Sequence, residues 1–295
     1  MQRSTHYLNY QPPLAWEAML GFFAARAVPG VERVVAGIYR RLLGCGTSHA
    51  MLEVSHDAAR QRLVVMIETG EPALVRPCLA RIGEVFDLTS DLAPIERHLA
   101  RDPLLAQCIA RRPGLRPPGA WTGFELAVRA VLGQQITVLA ARKLTARLVE
   151  QCGERVSCAD APLTHLFPTA GGVADADLSS IGMPQARKRT LQAVARAVIA
   201  EPTLLLPHHD LDTAVGDWQK IPGIGAWTAH YIALRALRAN DAFPASDIGL
   251  LRAAASDGQR PTPVELTKRA EAWRPWRAYA AQHLWSAAAA GPEEE

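Results

Sequence analysis

The proline-rich stretch RRPGLRPPG at 111–119 separates two regions with different local patterning, and this constrains the fold more than any other feature of the chain. Before it, helix and strand signals alternate. Residues 14–27, LAWEAMLGFFAARA, carry apolar side chains at helical spacing; Pro29-Gly30 punctuates, and the spacing predicts a second helix over 31–43. Residues 50–69 form two β-like runs around a polar turn, which predicts a hairpin. A helix is expected over 73–83 and a further strand in VFDL at 85–88. Together these give an α+β amino-terminal domain, a small antiparallel sheet with helices on one face. The prolines read as a boundary linker, so the domains are placed at 1–112 and 113–295.

Beyond the prolines the strand signals stop. Helical periodicity fills 121–132, 136–151, 185–200, 210–218, 226–238, 248–255, 263–272 and 276–290, an all-α domain of ordinary size. Hydrophobic residues make up 49% of the 295, enough for a core in each part. No run approaches the ~18 apolar residues of a membrane span. MQRSTHYLNYQPP lacks the basic-then-apolar order of a signal peptide, so a cytoplasmic location is expected. Five cysteines without Cys-x-x-Cys spacing read as reduced thiols rather than a zinc site. The nine histidines show no H-x-x-x-H spacing on a predicted helix, so metal hydrolysis lacks support. A net charge of +3 permits a nucleic-acid partner without indicating one. GPEEE at 291–295 reads as a frayed acidic end.

The most informative segment is DWQKIPGIGAWTAHYIALRALR, 217–238. Pro222 stops one helix, Gly223 and Gly225 allow a tight turn, and a long helix starts near Ala226. Unpaired N–H groups and the helix dipole at such a start favour an anion, and a phosphate fits without any side-chain charge. An ordinary helix–turn–helix connection explains the same residues. Asp247, in PASD before the helix at 248–255, reads either as an N-cap or as a carboxylate with chemical work to do. Arg187, Lys188 and Arg189 open the helix at 185–200; a solvated helix face is favoured over phosphate contact.

Ile221-Pro222-Gly223-Ile224-Gly225, followed by Asp247, resembles the helix-hairpin-helix superfamily of DNA glycosylases, and within it the DNA-3-methyladenine glycosylase II, or alkylation-repair, branch. Similar stretches run in the family's order along nearly the whole chain: YLNYQPPLAWEAMLGFFAARAV near the start, FELAVRAVLGQQITVLAARKLTARL at 124–148, IGMPQARKRTL at 181–191 and WRPWRAYAAQHLW at 273–285. The resemblance implies a monomeric enzyme that binds double-stranded DNA, flips out an alkylated base and hydrolyses its N-glycosidic bond in base excision repair. Asp247 is implied as the catalytic carboxylate. Trp227 stands where bifunctional members carry the Schiff-base lysine, which implies a monofunctional hydrolase and disfavours an oxidised-purine glycosylase with lyase activity. Trp227, Tyr231, Trp285 and Phe22 match the base pocket, whose rings suit a cationic purine.

Gly223 and Gly225 are implied as phosphate contacts, and Gln134, Gln135 and Ile136 as the loop that enters the duplex. Gln135 departs from the family's apolar wedge, and Ile248 stands where relatives carry an aromatic. No cofactor is implied beyond a monovalent cation, sodium or potassium, on the carbonyls of Gln219, Ile221 and Ile224. The superfamily's iron–sulfur cluster is excluded, because no cysteine follows Cys158. The rival reading is a non-catalytic DNA-binding module that keeps the hairpin for phosphate contact. The two differ in whether Asp247 opens onto an aromatic cleft or only caps its helix.

Overall fold

A computed structural model describes residues 1–46, 48–158, 160–256 and 258–290. The acidic end at 291–295 lies outside them. The first part of the chain runs β1 (Gln2–Asn9), α1 (Trp16–Arg26), β2 (Glu32–Val35), β3 (Ile38–Cys45), β4 (Ser48–Asp57), β5 (Arg62–Thr69) and α2 (Val75–Val85). The strands form one antiparallel sheet in the order β1-β5-β4-β3-β2. β5 shows the alternation of a half-buried strand, with Leu63, Val65 and Ile67 buried. They pack with Trp16 and Phe23 of α1 and Cys78, Ile82 and Val85 of α2.

The hairpin expected at 50–69 is β4–β5. The helix expected at 31–43 is instead β2–β3. Its apolar residues fit a helical period as well as a strand, but Val35 pairs with Ile38 across a two-residue loop. Ala36 and Gly37 in that loop have φ of 51° and 75°, the all-positive turn whose twist suits a hairpin. An alanine at such a position hides the signal that Asn or Asp would give. VFDL is not a strand either: Val85 ends α2, and Asp87 turns the chain with φ 53°. A short buried apolar run does not by itself distinguish the two states. β1 was not among the expected elements.

The second part comprises α3 (Leu92–Leu99), α4 (Pro103–Arg111), α5 (Gly123–Leu132), α6 (Val138–Cys152), α7 (Ala170–Ala174), α8 (Gln185–Ala200), α9 (Leu211–Gln219), α10 (Ala226–Arg235), α11 (Ile248–Ala253), α12 (Pro263–Ala270) and α13 (Arg277–Ala290). α3 and α4 were not expected, although Asp91 and Asp102 cap them by accepting from Ala93 N–H at 3.1 Å and Leu104 N–H at 2.9 Å. Leu92, Ile95, Leu99 and Leu105 join the large helical core around Trp218 and Trp273. These two helices thus share the core of the helical body although they precede the prolines.

The prolines do not form a flexible linker. Residues 114–121 are buried, and Arg116 lies inside, donating to the carbonyls of Asp87 at 2.6 Å and Ser90 at 3.0 Å and also to that of Gln11. Polyproline-like backbone leaves its own carbonyls unpaired; here Arg235 and Arg238 donate to those of Pro118 and Pro117, while Arg116 ties the strap to the first part of the chain. A buried charge network makes a second tie. Arg41 on β3 pairs with Glu32 of β2 at 3.0 Å and Glu125 of α5 at 2.7 Å; Arg129 of α5 pairs with the same two carboxylates at 2.6 and 2.7 Å. The sheet and the helical body are thus joined by charge as well as by apolar packing.

Candidate active site

A cavity of about 1720 Å³ opens where α1 of the first part faces α5, α10, α11 and α13 of the second. Asp247 sits at its wall as the N-cap of α11. Its Oδ1 accepts from the backbone N–H of Gly249 at 2.8 Å and of Leu250 at 3.1 Å, so the capping reading is correct. The same carboxylate also accepts from two indoles: Trp285 Nε1 at 2.8 Å on Oδ1 and Trp227 Nε1 at 2.8 Å on Oδ2. Four N–H groups fix its plane. Oδ1 accepts three of them, while Oδ2 has one partner and keeps acceptor capacity to spare. Asp247 therefore caps its helix and also lines the aromatic cavity.

Residues 227, 231 and 235 lie at i, i+4 and i+8 on one face of α10. Trp227 and Tyr231 stack with centroids 5.3 Å apart and planes at 10°. Trp285 of α13 meets Tyr231 edge-on at 6.0 Å. Phe22 of α1 joins them through Arg235, whose guanidinium carbon is 4.7 Å from the Phe22 ring centroid, 5.4 Å from Tyr231 and 5.0 Å from Trp285. The four pocket aromatics expected from the sequence therefore do converge. Reading Trp227 and Trp285 only as stacking rings missed their N–H groups, which serve the carboxylate.

Arg235 was missed altogether, although it continues the 227–231 face. It is 2% exposed and has no carboxylate partner among the described residues; it donates to Pro118 O and to Gln282 Oε1, each at 3.0 Å. Burial pushes its guanidinium down to about 10, opposed by the Tyr231 phenol and aided by nearby Arg26. It stays charged at neutral pH. Burial alone would raise the Tyr231 phenol, but the two arginines outweigh it and the net shift is downward. Arg26 lies 4.0 Å over the Phe22 ring, and Arg129 donates to its carbonyl at 2.9 Å, which connects this wall to the buried charge network.

The hairpin is a turn between α9 and α10. Gly223 has φ +89°, and a Cβ there would come within 2.0 Å of Thr190 Oγ1 on α8, so that position requires glycine for the fold. Gly225 differs: its φ is −90°, it is the N-cap of α10, and a Cβ would meet nothing within 4 Å. Gly225 and Ala226, where α10 starts, are both exposed. Gln134 reaches this turn, its Nε2 donating to Gly223 O at 3.1 Å and Thr228 Oγ1 at 3.0 Å. Gln135 is exposed with φ +58°, a conformation that costs a non-glycine residue about 1–3 kcal/mol. Ile136, Val138, Leu139 and Ile248 are all exposed apolar residues, and all but Leu139 line the cavity. The basic run is not simply a solvated face: Arg189 is exposed, but Arg187 Nη2 donates to Gln134 O at 2.7 Å.

No group of three or more His, Cys, Asp or Glu side chains among the described residues could hold a metal ion. Among the same residues, no helix is long and apolar enough to cross a membrane.

The chain matches two family models, the AlkA N-terminal domain over residues 5–122 and the HhH-GPD superfamily base excision DNA repair protein over 128–277. It is 38% identical over 290 residues to DNA-3-methyladenine glycosylase 2 of Escherichia coli K12, covering 97% of this chain and 99% of that one. It is 36% identical over 279 residues to the probable bifunctional transcriptional activator/DNA repair enzyme AlkA of Mycobacterium tuberculosis, covering 95% of this chain and 56% of that protein. The solved 3-methyladenine DNA-glycosylase from Archaeoglobus fulgidus superposes with a TM-score of 0.83 at 22% identity over 98% of both chains, which establishes the shared fold. Full-length identity well above 30%, over both domains and with the carboxylate opening onto an aromatic cleft, leaves no place for a bare binding module: the chain belongs to the HhH-GPD superfamily of base excision DNA repair proteins, as a DNA N-glycosylase with an AlkA-type amino-terminal domain.

Proposed function

We propose that the chain works as a monofunctional glycosylase, extruding alkylated purines of the 3-methyladenine type, over a broad range, from duplex DNA and hydrolysing their N-glycosidic bond. One observation carries this reading: Asp247 faces an aromatic cavity while an indole, not an amine, occupies the start of the hairpin helix. Cleavage builds positive charge on the deoxyribose, which a fixed carboxylate stabilises, and Oδ2 can also orient or deprotonate the attacking water. An N3- or N7-alkylated purine already carries positive charge and leaves with little acid assistance, so a carboxylate-only site suffices.

Phe22, Tyr231 and Trp285 supply ring faces and edges for the base. Trp227 and Tyr231 stack on each other, so the base meets their remaining surfaces rather than a slot between them. Arg235 among the rings opposes a second cation, so the pocket discriminates less by charge than its aromatics alone would, in keeping with a broad range. The hairpin N–H groups at Gly223 and Gly225 take a DNA phosphate, and Gln135 with Ile136 fills the gap left in the stack. The enzyme is proposed to act as a monomer in the cytoplasm, where the chromosome lies.

A sodium or potassium ion fits the hairpin. Among the described residues nothing donates to the carbonyls of Gln219 or Ile224, and Ile221 O accepts only from Ile224 N–H at 3.0 Å. Such an ion would supply positive charge beside the phosphate; the chain needs no other cofactor.

The test is the release of free bases from methylated duplex DNA, identified by mass: 3-methyladenine and related purines are expected, and their absence would sink the reading. With no amine at position 227, borohydride added during turnover should trap no protein–DNA adduct. A trapped adduct would show that another amine attacks and that the reaction is not simple hydrolysis.

The two hairpin glycines separate the fold from DNA binding. Gly225→Thr keeps a good N-cap residue and meets open space, so its melting temperature should stay near wild type. Affinity should fall alike for damaged and undamaged duplexes, with the slope of log affinity against log salt shallower by up to about 0.9 for each phosphate no longer held. Gly223→Ala should lower the melting temperature first. A folded Gly225→Thr with wild-type affinity and slope would mean that the hairpin is not the anchor.

A further inference from the structure

The loop between α5 and α6 holds Gln135 with φ +58°, so its conformation has to be imposed by neighbours. The peptide plane between residues 134 and 135 sets that angle, and its carbonyl is the Gln134 oxygen to which Arg187 Nη2 donates at 2.7 Å. The side chain of the same Gln134 is bonded to Gly223 O and Thr228 Oγ1, on the turn and first turn of the hairpin helix. One helical turn beyond Arg187 on α8, Thr190 fills the space beneath Gly223. A single turn of α8 therefore touches both the loop that would enter the duplex and the turn that would hold the phosphate. Arg187 is half-buried at the cavity wall and pairs with no carboxylate among the described residues; its guanidinium is held by the Gln134 carbonyl.

We infer that Arg187 is a positioning residue for base extrusion: it clamps the Gln134–Gln135 peptide against the hairpin, so that docking of the DNA backbone presents Gln135 to the stack already in its left-handed conformation. This rests on the function proposed above. It assigns to Arg187 neither a contact with the reacting atoms nor a phosphate. Without the clamp the loop can relax, and part of the energy of DNA binding must then restore it before the nucleotide leaves the stack.

The experiment measures single-turnover release of 7-methylguanine by the full chain from two duplexes. In one the lesion pairs with cytosine; in the other it stands opposite a tetrahydrofuran abasic analogue, where there is no pairing to break. Arg187→Leu removes the donor and keeps apolar bulk, and Arg187→Lys keeps a donor. Arg187→Leu should release base roughly tenfold or more slowly from the paired duplex, the scale set by relaxing one strained residue. Its loss on the unpaired duplex should be several times smaller, and Arg187→Lys should recover most of the paired-duplex rate. Affinity for undamaged DNA, its salt slope and the melting temperature should match wild type.

Equal losses on the two duplexes, or no loss on either, would overturn the inference. So would a uniform loss of affinity with a salt slope shallower by about 0.9, which would make Arg187 a phosphate contact. A wild-type chain that releases base from neither duplex would instead overturn the proposed function and this inference with it.

Discussion

Asp247→Asn should lower the rate of base release by at least about 10²–10³-fold, the usual cost of removing one preorganised electrostatic stabiliser of a transition state, about 2.7–4 kcal/mol. The geometry makes the substitution a clean one. The amide oxygen can keep the three N–H groups now on Oδ1, from Gly249, Leu250 and Trp285, and with them the cap of α11. The amide nitrogen then stands where Oδ2 was, facing the Trp227 indole N–H donor to donor. The stability lost should be on the order of 1 kcal/mol, the worth of one ordinary hydrogen bond. Binding to undamaged duplex should change little, because the phosphate-facing turn is elsewhere on the chain. Single-turnover rates with saturating enzyme, together with a melting curve, check both halves. A variant that retains wild-type turnover would remove Asp247 from the chemistry, whatever its place in the cleft.

The largest expected effect on stability lies at the joint between the two parts of the chain. Arg41→Met removes one of two guanidinia that neutralise Glu32 and Glu125, both nearly fully buried, and leaves two carboxylates sharing Arg129. Breaking a buried pair by deleting one partner costs about 3–5 kcal/mol.

The pH dependence follows from the direction of the Glu125 shift. Burial raises its carboxyl, but Arg41 and Arg129 overcome that and hold it below the usual carboxylate value. A group whose folded value is depressed contributes stability above its unfolded value, here near 4.5, and loses it as pH falls through the folded value. In Arg41→Met much of that depression is gone, so protonation relieves the variant at a higher pH than wild type. Urea melts should show a gap of about 3–5 kcal/mol at pH 7 that narrows toward pH 4. A gap below about 1 kcal/mol at pH 7 would mean that the network is no more than a surface-like pair. Because Arg129 also holds the Arg26 carbonyl, and Arg26 lies over Phe22, the same variant should loosen the pocket wall.

Much of this protein was legible from local pattern. Pro222 restricts its own backbone and Gly223 and Gly225 free theirs for a turn, so a turn opening a helix could be read from five residues. The longer helices from α5 onward repeat their apolar side chains within a window of about 11–18 residues, and their spans agree with the structure to within a few positions. Asp247 before a helix was visible as a cap, and its family spacing from the hairpin marked it for chemistry.

What required the tertiary structure involves partners far apart in sequence. Residues 31–43 satisfy either period, and only pairing of β3 with β4, Leu42 with Met51 and Leu43 with Ala50, makes them strands. Arg116 turns an apparent linker into a buried strap because it finds carbonyls 26 and 29 positions away. The indole of Trp285 reaches Asp247 across 38 residues, and Arg187 reaches Gln134 across 53. A side chain's type states which bonds it can make, whereas its partner is decided by how separate helices pack. The backbone of the hairpin was therefore readable in advance, and the set of N–H groups around the carboxylate was not.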